Sequence, residues 1–229
     1  MYIHCLSKLI EKIMIETNLK RLRLSSIELM EVTDELLSTL KKYENRIAMH
    51  LHIPLQGGCD SVLKRMNRKY LTNDYRNLIN KIRTIFPNIA ITTDCLTGFV
   101  GESEEEFESA YNSIKEMKFA SMHIFPYSRR KNTVADSLSG HLNPSIIHER
   151  ASIMINTAKE LKEEYENKFL NKTVNVLFET TKKGYYIGHS SNYLEVYVKS
   201  DFDLTNKFCD VLITSIEENM MKGEVICVF

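Results

Sequence analysis

The sequence predicts an α/β fold with a parallel sheet, followed by a small all-β domain. From residue 1 to about 128, helical and strand patterns alternate, which indicates right-handed βαβ units. Beyond residue 168 the apolar residues recur with a period of two, in short runs separated by turn residues, as in β-strands. Periodicity alone leaves two arrangements of the parallel sheet open, a barrel and a doubly wound sheet.

Four short apolar runs are the predicted strands of the parallel sheet. An amphipathic helix over residues 4–16 precedes the first of them, and its charged residues exclude a signal peptide. Because helical segments connect the runs, the strands are expected to lie parallel. They are predicted at 21–27, 48–56, 89–96 and 121–128.

Polar residues predict where the helices begin. Thr33 is expected to cap the helix after the first strand, and Thr72 the helix after the second. Ser103 and Glu106 have the spacing of a capping box after the third strand. Asn143, which precedes a proline, predicts the start of a long helix. The chain is thus predicted to consist of an α/β part at 1–142, a linker helix at 143–167 and a β domain at 168–229.

Composition restricts the classes of function. Of the 229 residues, 43% are hydrophobic, which is enough for a packed core. The 30 basic and 30 acidic residues cancel, so any contact with RNA has to come from local patches. Five cysteines, at 5, 59, 95, 209 and 227, lack the spacing of a metal site or a disulfide framework, which indicates a reducing, cytoplasmic compartment. No run is long and apolar enough to predict a membrane span.

All four predicted strands end in polar residues. The second ends in Gln56 followed by two glycines, where the backbone can approach a ligand closely. The carboxyl ends of parallel strands meet at one rim, which is where ligands bind in parallel α/β folds. A binding site is therefore expected there, with ordinary strand-to-helix turns as the alternative. The other strand ends carry Ser25 and Ser26, Thr97 and Gly98, and Tyr127 and Ser128.

Titratable residues occur inside the strands. Asp94 is expected to be hydrogen-bonded to a neighbouring strand or to Arg23, with a cofactor role as the alternative. His50 and His52 have the parity of residues on one face of a strand. For these histidines and His123, packing or sheet hydrogen bonds are favoured over a metal site, because no second set of ligands is visible.

Two clusters of cations follow the strands near the predicted rim. Both are candidates for binding RNA phosphates, and a solvated helix face is the alternative for each. The first cluster contains no acid and consists of Lys64, Arg65, Arg68 and Lys69. The second consists of Arg129 and Arg130, followed by a lysine.

Four segments of the chain resemble one enzyme family. They read HLHIPLQ at 50–56, VLKRMNRKY at 62–70, ITTDCLTGF at 91–99 and MHIFPYSRR at 122–130. Together they are similar to the radical S-adenosylmethionine (SAM) methylthiotransferases that modify tRNA, and most of all to those acting on N6-threonylcarbamoyladenosine next to the anticodon. The resemblance extends over nearly the whole chain.

The resemblance implies a fold and two cofactors. The implied fold is an incomplete parallel (β/α) partial barrel of the radical SAM type, with strands three to six, followed by a small TRAM-like β-barrel. The family holds a [4Fe-4S] cluster through CxxxCxxC, which this sequence does not contain, so no cluster or metal ligand is predicted here. SAM is expected at the mouth of the barrel, with Ser25, Ser26, Gln56, Gly98 and Phe125 as candidate contacts.

The resemblance also implies a partner, the anticodon stem-loop of tRNA. Tyr185 and Tyr193 in the β domain are candidates for stacking on bases, with core packing as the alternative. The implied function is that of the carboxyl-terminal portion of a tRNA methylthiotransferase, inactive without the missing cluster-binding half. That amino-terminal half, as a separate chain, is a further candidate partner. The alternatives are a non-catalytic RNA-binding fragment, one half of a split enzyme, and a methylthiotransferase acting on another tRNA adenosine or on a ribosomal protein.

Overall fold

The computed structural model describes residues 6–217 and 220–229. Within these residues, one parallel sheet has the order β1 (His50–His52), β2 (Ala90–Thr97) and β3 (Ser121–Pro126). The predicted α/β class is therefore confirmed. No described helix is long and apolar enough to cross a membrane. The helices are α1 (Leu6–Glu16), α2 (Asp34–Lys42), α3 (Asp60–Arg65), α4 (Thr72–Ile85), α5 (Glu104–Met117), α6 (Val134–Ser137) and α7 (Pro144–Asn167).

Two of the predicted strands are shorter than the sequence pattern suggests. The segment 21–27 lies parallel to β1 but joins its neighbour only through isolated bridges, at Leu22 and at Ser26. The predicted strand 48–56 is reduced to β1, followed by one isolated bridge at Gln56. Pro54 has no N–H to donate, and Gln56 has a left-handed φ of 64°, so a regular ladder cannot continue through them. The predicted strands 89–96 and 121–128 form β2 and β3.

The predicted helix starts are confirmed in three cases and wrong in one. The Thr33 side chain accepts a hydrogen bond from the first turn of α2, and Asn143 caps α7. Ser103 and Glu106 form the capping box of α5, with bonds of 3.2 and 3.0 Å. Thr72 is the first residue of α4 and not its cap, because its hydroxyl donates instead to Asp60 at 2.6 Å. The predicted first helix is present as α1, and its expected residues 4 and 5 lie outside the described residues.

The two faces of the parallel sheet differ in polarity. Leu51 and Ile91 are buried and belong to the hydrophobic core shared with the helices. Their strand neighbours His50, His52 and Asp94 alternate with them and therefore lie on the other, concave face. The apolar face packs in the core and stabilises the fold, while the other face carries the polar side chains.

Helix α7 runs along the sheet from the carboxyl rim to the amino ends of the strands. Near its start, Arg150 forms a buried ion pair with Glu102, with 2.8 Å between Nη1 and Oε2. Arg150 also donates to the Glu102 carbonyl at 2.9 Å and to Glu104 at 2.8 Å. Near the other end, the Tyr165 hydroxyl donates to the Asn192 carbonyl of the β domain at 3.1 Å. Since a helix rises 1.5 Å per residue, the 24 residues of α7 span about 36 Å.

The second part of the chain is a closed barrel. Its described strands pair in the order β4–β5–β6–β8–β7, and β7 also pairs with β4, which closes the sheet. Val176, Phe178 and Val211 are fully buried at its centre. The predicted small β-barrel is confirmed. Its strands are β4 (Thr173–Lys182), β5 (Tyr185–Ser190), β6 (Glu195–Val198), β7 (Phe208–Glu217) and β8 (Met220–Val228).

The β-barrel docks at the amino end of the parallel sheet, opposite the rim. The guanidinium group of Arg21 donates to the Asn175 side chain at 2.7 Å, and that of Arg23 donates to the Ser190 carbonyl at 2.8 Å. Both arginines precede Ser25 and so lie at the amino end of their segment. The two ends of the sheet therefore have separate environments, the rim at one and the β-barrel at the other.

Replacing Arg150 by methionine is expected to lower the free energy of unfolding by about 3–5 kcal/mol, because it leaves the Glu102 carboxylate buried without its cation. Urea denaturation measures the change. Lys159→Ala on the same helix is the matched control, since its ion pair is exposed, and it is expected to cost under about 0.5 kcal/mol. The double variant Arg150→Met with Glu102→Gln should recover part of the loss. Equal effects of the two single variants would contradict this account.

Candidate cofactor site at the carboxyl rim of the sheet

A cavity of about 490 Å³ opens at the carboxyl ends of β2 and β3. Gln56, Asp94, Phe125, Tyr127 and Arg130 are among the residues that line it. This volume lies in the range of small-molecule sites, roughly 300–1,000 Å³. The rim predicted from the polar strand ends therefore contains a pocket of the size of a cofactor.

The lining combines an apolar wall with polar groups. Phe125 is 50% exposed, so its ring is available to a flat ligand. The left-handed turn at Gln56 holds the chain close to β2, where the Leu96 N–H donates to the Gln56 carbonyl at 2.8 Å. The Tyr127 hydroxyl and the Thr97 hydroxyl are buried without a hydrogen-bond partner among the described residues. Buried polar groups are normally paired. Tyr127 belongs to the lining of the cavity and has bonding capacity left for a ligand, whereas Thr97 lies outside the lining.

Three predicted SAM contacts lie outside this lining. Ser25 is exposed, and Ser26 pairs with His52 of β1. The Gly98 N–H donates to Glu102 at 2.9 Å, and a Cβ at this position would lie 2.9 Å from Ile147 of α7. Packing against α7 thus accounts for Gly98. The cofactor roles of these three residues stay predictions, whereas Gln56 and Phe125 do line the cavity.

The adjacent glycines after Gln56 also serve packing. A Cβ on Gly58 would lie 2.8 Å from the Ala110 Cα in α5, so no larger residue fits without movement. Gly57 is buried beside Val62 and Leu63 of α3. The expected close approach of backbone at this turn is therefore made to helices.

A hydrogen-bonded row of side chains crosses the polar face of the sheet, the face that carries His50, His52 and Asp94. The Thr92 hydroxyl lies 2.8 Å from His50 Nε2 and 2.9 Å from His52 Nδ1. The other nitrogen of His52 lies 3.3 Å from Asp94 Oδ2. Asp94 thus contacts His52 of the neighbouring strand and not Arg23, which donates to the β-barrel. The predicted shared face of His50 and His52 is confirmed.

The first cation cluster is largely engaged with acidic or polar side chains. Arg65 makes a bidentate ion pair with Glu106, at 2.8 and 2.6 Å, and this pair lowers the pKa of Glu106 to about 2. Arg68 lies 3.4 Å from Glu28. Lys69 donates to the Asn67 side chain at 2.8 Å, while Lys64 is exposed. Much of this positive charge is neutralised, and its role in RNA binding stays a prediction.

The second cluster is divided between two environments. Arg129 forms an exposed ion pair with Asp136. Arg130 lines the rim cavity. The structure therefore brings Arg130, but not Arg129, to the candidate cofactor site.

The two candidate tyrosines of the β-barrel make different contacts. The ring of Tyr185 packs edge-on against Tyr197 at 6.3 Å, below the ammonium group of Lys199 at 5.1 Å. Tyr193 stacks on His50 across the domain interface, with ring centroids 4.1 Å apart and an angle of 8° between the planes. Tyr193 is only 39% exposed. Its contact shows a docking role, and stacking on RNA stays a prediction for both residues.

Tyr127 and Thr97 were recognisable from sequence only as members of polar strand ends. The signal that separates them from the serines is their burial without partners, which no local pattern reveals. Arg150 and Glu102 belong to different predicted elements 48 residues apart, so no local sequence pattern predicts their pairing.

The described residues do not fit an iron–sulfur cluster. No group of three or more His, Cys, Asp or Glu side chains within them is arranged to hold a metal ion. Cys95 is buried, which raises its thiol pKa to about 12 and keeps it protonated. Cys5 lies outside the described residues. The rim cavity, by contrast, has the volume of a small-molecule site, with an apolar wall at Phe125 and the unpartnered hydroxyl of Tyr127.

Comparison with known families agrees with this geometry. The profile of the Radical SAM superfamily matches residues 2–114. Coproporphyrinogen III oxidase (HemN) from Escherichia coli, a radical SAM enzyme, superposes with a TM-score of 0.52 over 90% of this chain and 50% of its own, at 14% identity. At that identity the likeness concerns the fold alone.

Sequence relatives cover both parts of the chain. Threonylcarbamoyladenosine tRNA methylthiotransferase MtaB from Bacillus subtilis is 35% identical over 90% of this chain and 47% of its own length. A tRNA-2-methylthio-N(6)-dimethylallyladenosine synthase from Caldicellulosiruptor saccharolyticus is 31% identical over 96% of this chain and 47% of its own. The chain thus spans about half the length of these relatives.

His50 gives the domain interface an acid sensitivity. Burial, and then the positive charge of Arg23, lower its pKa to about 3, against an ordinary value of 6.5. Between these values the unfolded chain binds a proton that the folded chain does not, so the stability contributed by neutral His50 declines as pH falls below 6.5. The slope of the free energy of unfolding against pH should be up to about 1.4 kcal/mol per pH unit shallower in His50→Gln.

Urea denaturation between pH 7.5 and 5 measures that slope. His148→Gln, at an exposed position of α7, is the matched control and should behave like the unaltered protein. Parallel curves for His50→Gln and the unaltered protein would show that His50 titrates normally.

Proposed function

This chain belongs to the radical SAM tRNA methylthiotransferase family, and from that premise we propose that it forms the SAM-side rim and the RNA-side β-barrel of such an enzyme. The substrate we propose is N6-threonylcarbamoyladenosine next to the anticodon of tRNA. The observation that carries the proposal is the rim cavity, which lies at the carboxyl ends of the parallel strands, where folds of this class bind their ligands.

The residues of the rim suit SAM. Phe125 offers a ring face to the adenine, while Gln56 and Tyr127 offer donors and acceptors to the polar parts of the molecule. Bound SAM supplies the family's 5′-deoxyadenosyl radical and its methyl group. The contribution of this chain is to bind and orient the cofactor, with the apolar core behind the sheet keeping the strand ends in place.

The cluster that reduces SAM needs ligands from outside the printed sequence. CxxxCxxC is absent from the 229 residues, and the described residues do not fit a metal centre. We propose that a cluster-binding half, in the same protein or in a separate chain, completes the site. No step of the reaction is therefore assigned to cysteines of this chain.

The choice of tRNA substrate rests on the relatives. The B. subtilis protein is named for threonylcarbamoyladenosine, and the C. saccharolyticus protein for dimethylallyladenosine. Two relatives of the first kind are 35% identical to this chain and relatives of the second kind are 29–34% identical, so identity favours the first substrate by a narrow margin. The four described cysteines are unpaired, which suits a reducing compartment, and we place the function in the cytoplasm.

A non-catalytic RNA-binding protein is the second candidate. The absence of a metal-binding group among the described residues favours it, since nothing in them initiates radical chemistry. The two candidates differ in whether the rim binds SAM and in whether product forms once cluster ligands are supplied.

If the rim binds SAM, replacing Phe125 by alanine should weaken binding of S-adenosylhomocysteine about tenfold, equivalent to about 1.4 kcal/mol, because the adenine loses its apolar wall. Gln56→Ala should weaken it less. Calorimetric titration measures both. Phe202→Ala is the matched control, since Phe202 is an exposed phenylalanine of the β domain. Equal affinity of all the variants would contradict a cofactor site at the rim.

The activity itself is tested by supplying the other half. A bacterial strain without its own methylthiotransferase is given this chain, the unmatched amino-terminal half of the B. subtilis relative, or both as separate polypeptides. Mass spectrometry of tRNA nucleosides should detect methylthiolated threonylcarbamoyladenosine only with both. Absence of product, with the two halves shown to associate and the stem-loop bound, would favour the non-catalytic alternative.

A further inference from the structure

A second cavity lies at the amino ends of β2 and β3, opposite the rim. Its volume is about 390 Å³. It is lined by the end of α4, the turn before β3 and the junction of α7 with β4. We call it the amino-end cavity. None of the described residues that line it is acidic, and its cations are Arg83, Lys118, Lys168 and Lys172.

These four cations have no acidic partners. None of them forms an ion pair with a carboxylate in the described part of the chain, unlike Arg65, Arg68 and Arg129 near the rim. Arg83 donates to the Lys118 carbonyl at 2.7 Å, which holds two sides of the cavity together. The positive charge of the amino-end cavity is therefore uncompensated.

Aromatic rings complete the lining. The ammonium group of Lys168 lies 5.8 Å from the ring centroid of Tyr165, and that of Lys172 lies 5.9 Å from that of Phe169. The rings hold the lysine side chains at the mouth of the cavity, where both remain exposed. Like charges around one concave surface repel each other, and a bound anion would relieve that repulsion. Burial also lowers the pKa of the Arg83 guanidinium, as expected for a cation that lacks an anion.

We infer that the amino-end cavity binds phosphate groups of the RNA backbone. Lysine and arginine without acidic neighbours are the side chains that bind phosphate, and the cavity is large enough for more than one such group. Its exposed lysines lie on both sides of the mouth, so a chain of phosphates can continue across it. The assignment of these phosphates to tRNA rests on the proposed function, whereas phosphate binding by the cavity does not.

The test removes the mouth cations together. The cavity variant carries Lys118→Ala, Lys168→Ala and Lys172→Ala, and leaves Arg83 in place because its side chain supports the turn before β3. The matched control variant carries Lys8→Ala, Lys182→Ala and Lys183→Ala, which removes the same charge from exposed positions outside the cavity lining. Urea midpoints establish that both variants are folded.

Two ligands are titrated into the full chain. Pyrophosphate is measured by calorimetry, and a labelled anticodon stem-loop by fluorescence anisotropy at several salt concentrations. The cavity variant should lose pyrophosphate binding, bind the stem-loop at least tenfold more weakly, and lower the magnitude of the log–log salt slope by about two, since each phosphate contact contributes 0.7–0.9. The control variant should lose less than threefold in affinity.

The outcomes separate the site from the proposed function. Equal binding of pyrophosphate by the cavity and control variants would overturn the phosphate site. Cavity-dependent pyrophosphate binding with unchanged stem-loop binding would overturn the assignment to RNA and leave a site for a small phosphorylated molecule. A stem-loop that the unaltered protein does not bind would overturn the RNA assignment together with the RNA-side part of the proposed function, while the pyrophosphate titration still decides the cavity.

Discussion

The buried ion pair between Arg150 and Glu102 fixes helix α7 against the rim of the sheet, and the positions of the other elements depend on that contact. Both side chains are almost completely enclosed, 7% and 3% exposed, and the carboxylate also accepts from the Gly98 N–H at the rim. Burial raises the pKa of Glu102, against the lowering effects of Arg150 and the Gly98 N–H, so the hydrogen bonds and charge attraction of the pair offset the cost of its desolvation. It sets the start of α7 on the rim, and the helix then carries the β-barrel to the opposite end.

In this arrangement the two ends of the sheet are surrounded by different kinds of side chain. The rim has a cavity lined by the unpartnered Tyr127 hydroxyl, an exposed aromatic ring and one side chain of each charge, Asp94 and Arg130. The amino end has cations without acids and a docked barrel. Between them, the row from His50 to Asp94 is the polar face of the sheet. The two proposed roles, cofactor binding and phosphate binding, thus fall at opposite ends of the sheet.

Much of the fold was predictable from sequence, because periodicity and caps are local. The change of period near residue 168 separated the two parts, and the capping box at Ser103 and the N-cap at Asn143 placed helix starts to the residue. The extent of pairing at 21–27 was not predictable, since it depends on backbone groups of a neighbouring segment. The candidate sites were harder to predict for the same reason, because their contacts join segments that are distant in the sequence. From the sequence Arg65 is expected to be a free cation, but in the structure it pairs with Glu106, 41 residues away. The cations of the amino-end cavity likewise come from three segments that are distant in the sequence.

Helix α7 also fixes a distance within the molecule. It is anchored at the rim through Arg150 and at the barrel through Tyr165, 15 residues later, so these two anchors lie about 22 Å apart along the helix. The number of residues between the two anchors of one helix therefore sets the separation between the rim and the attachment of the β-barrel.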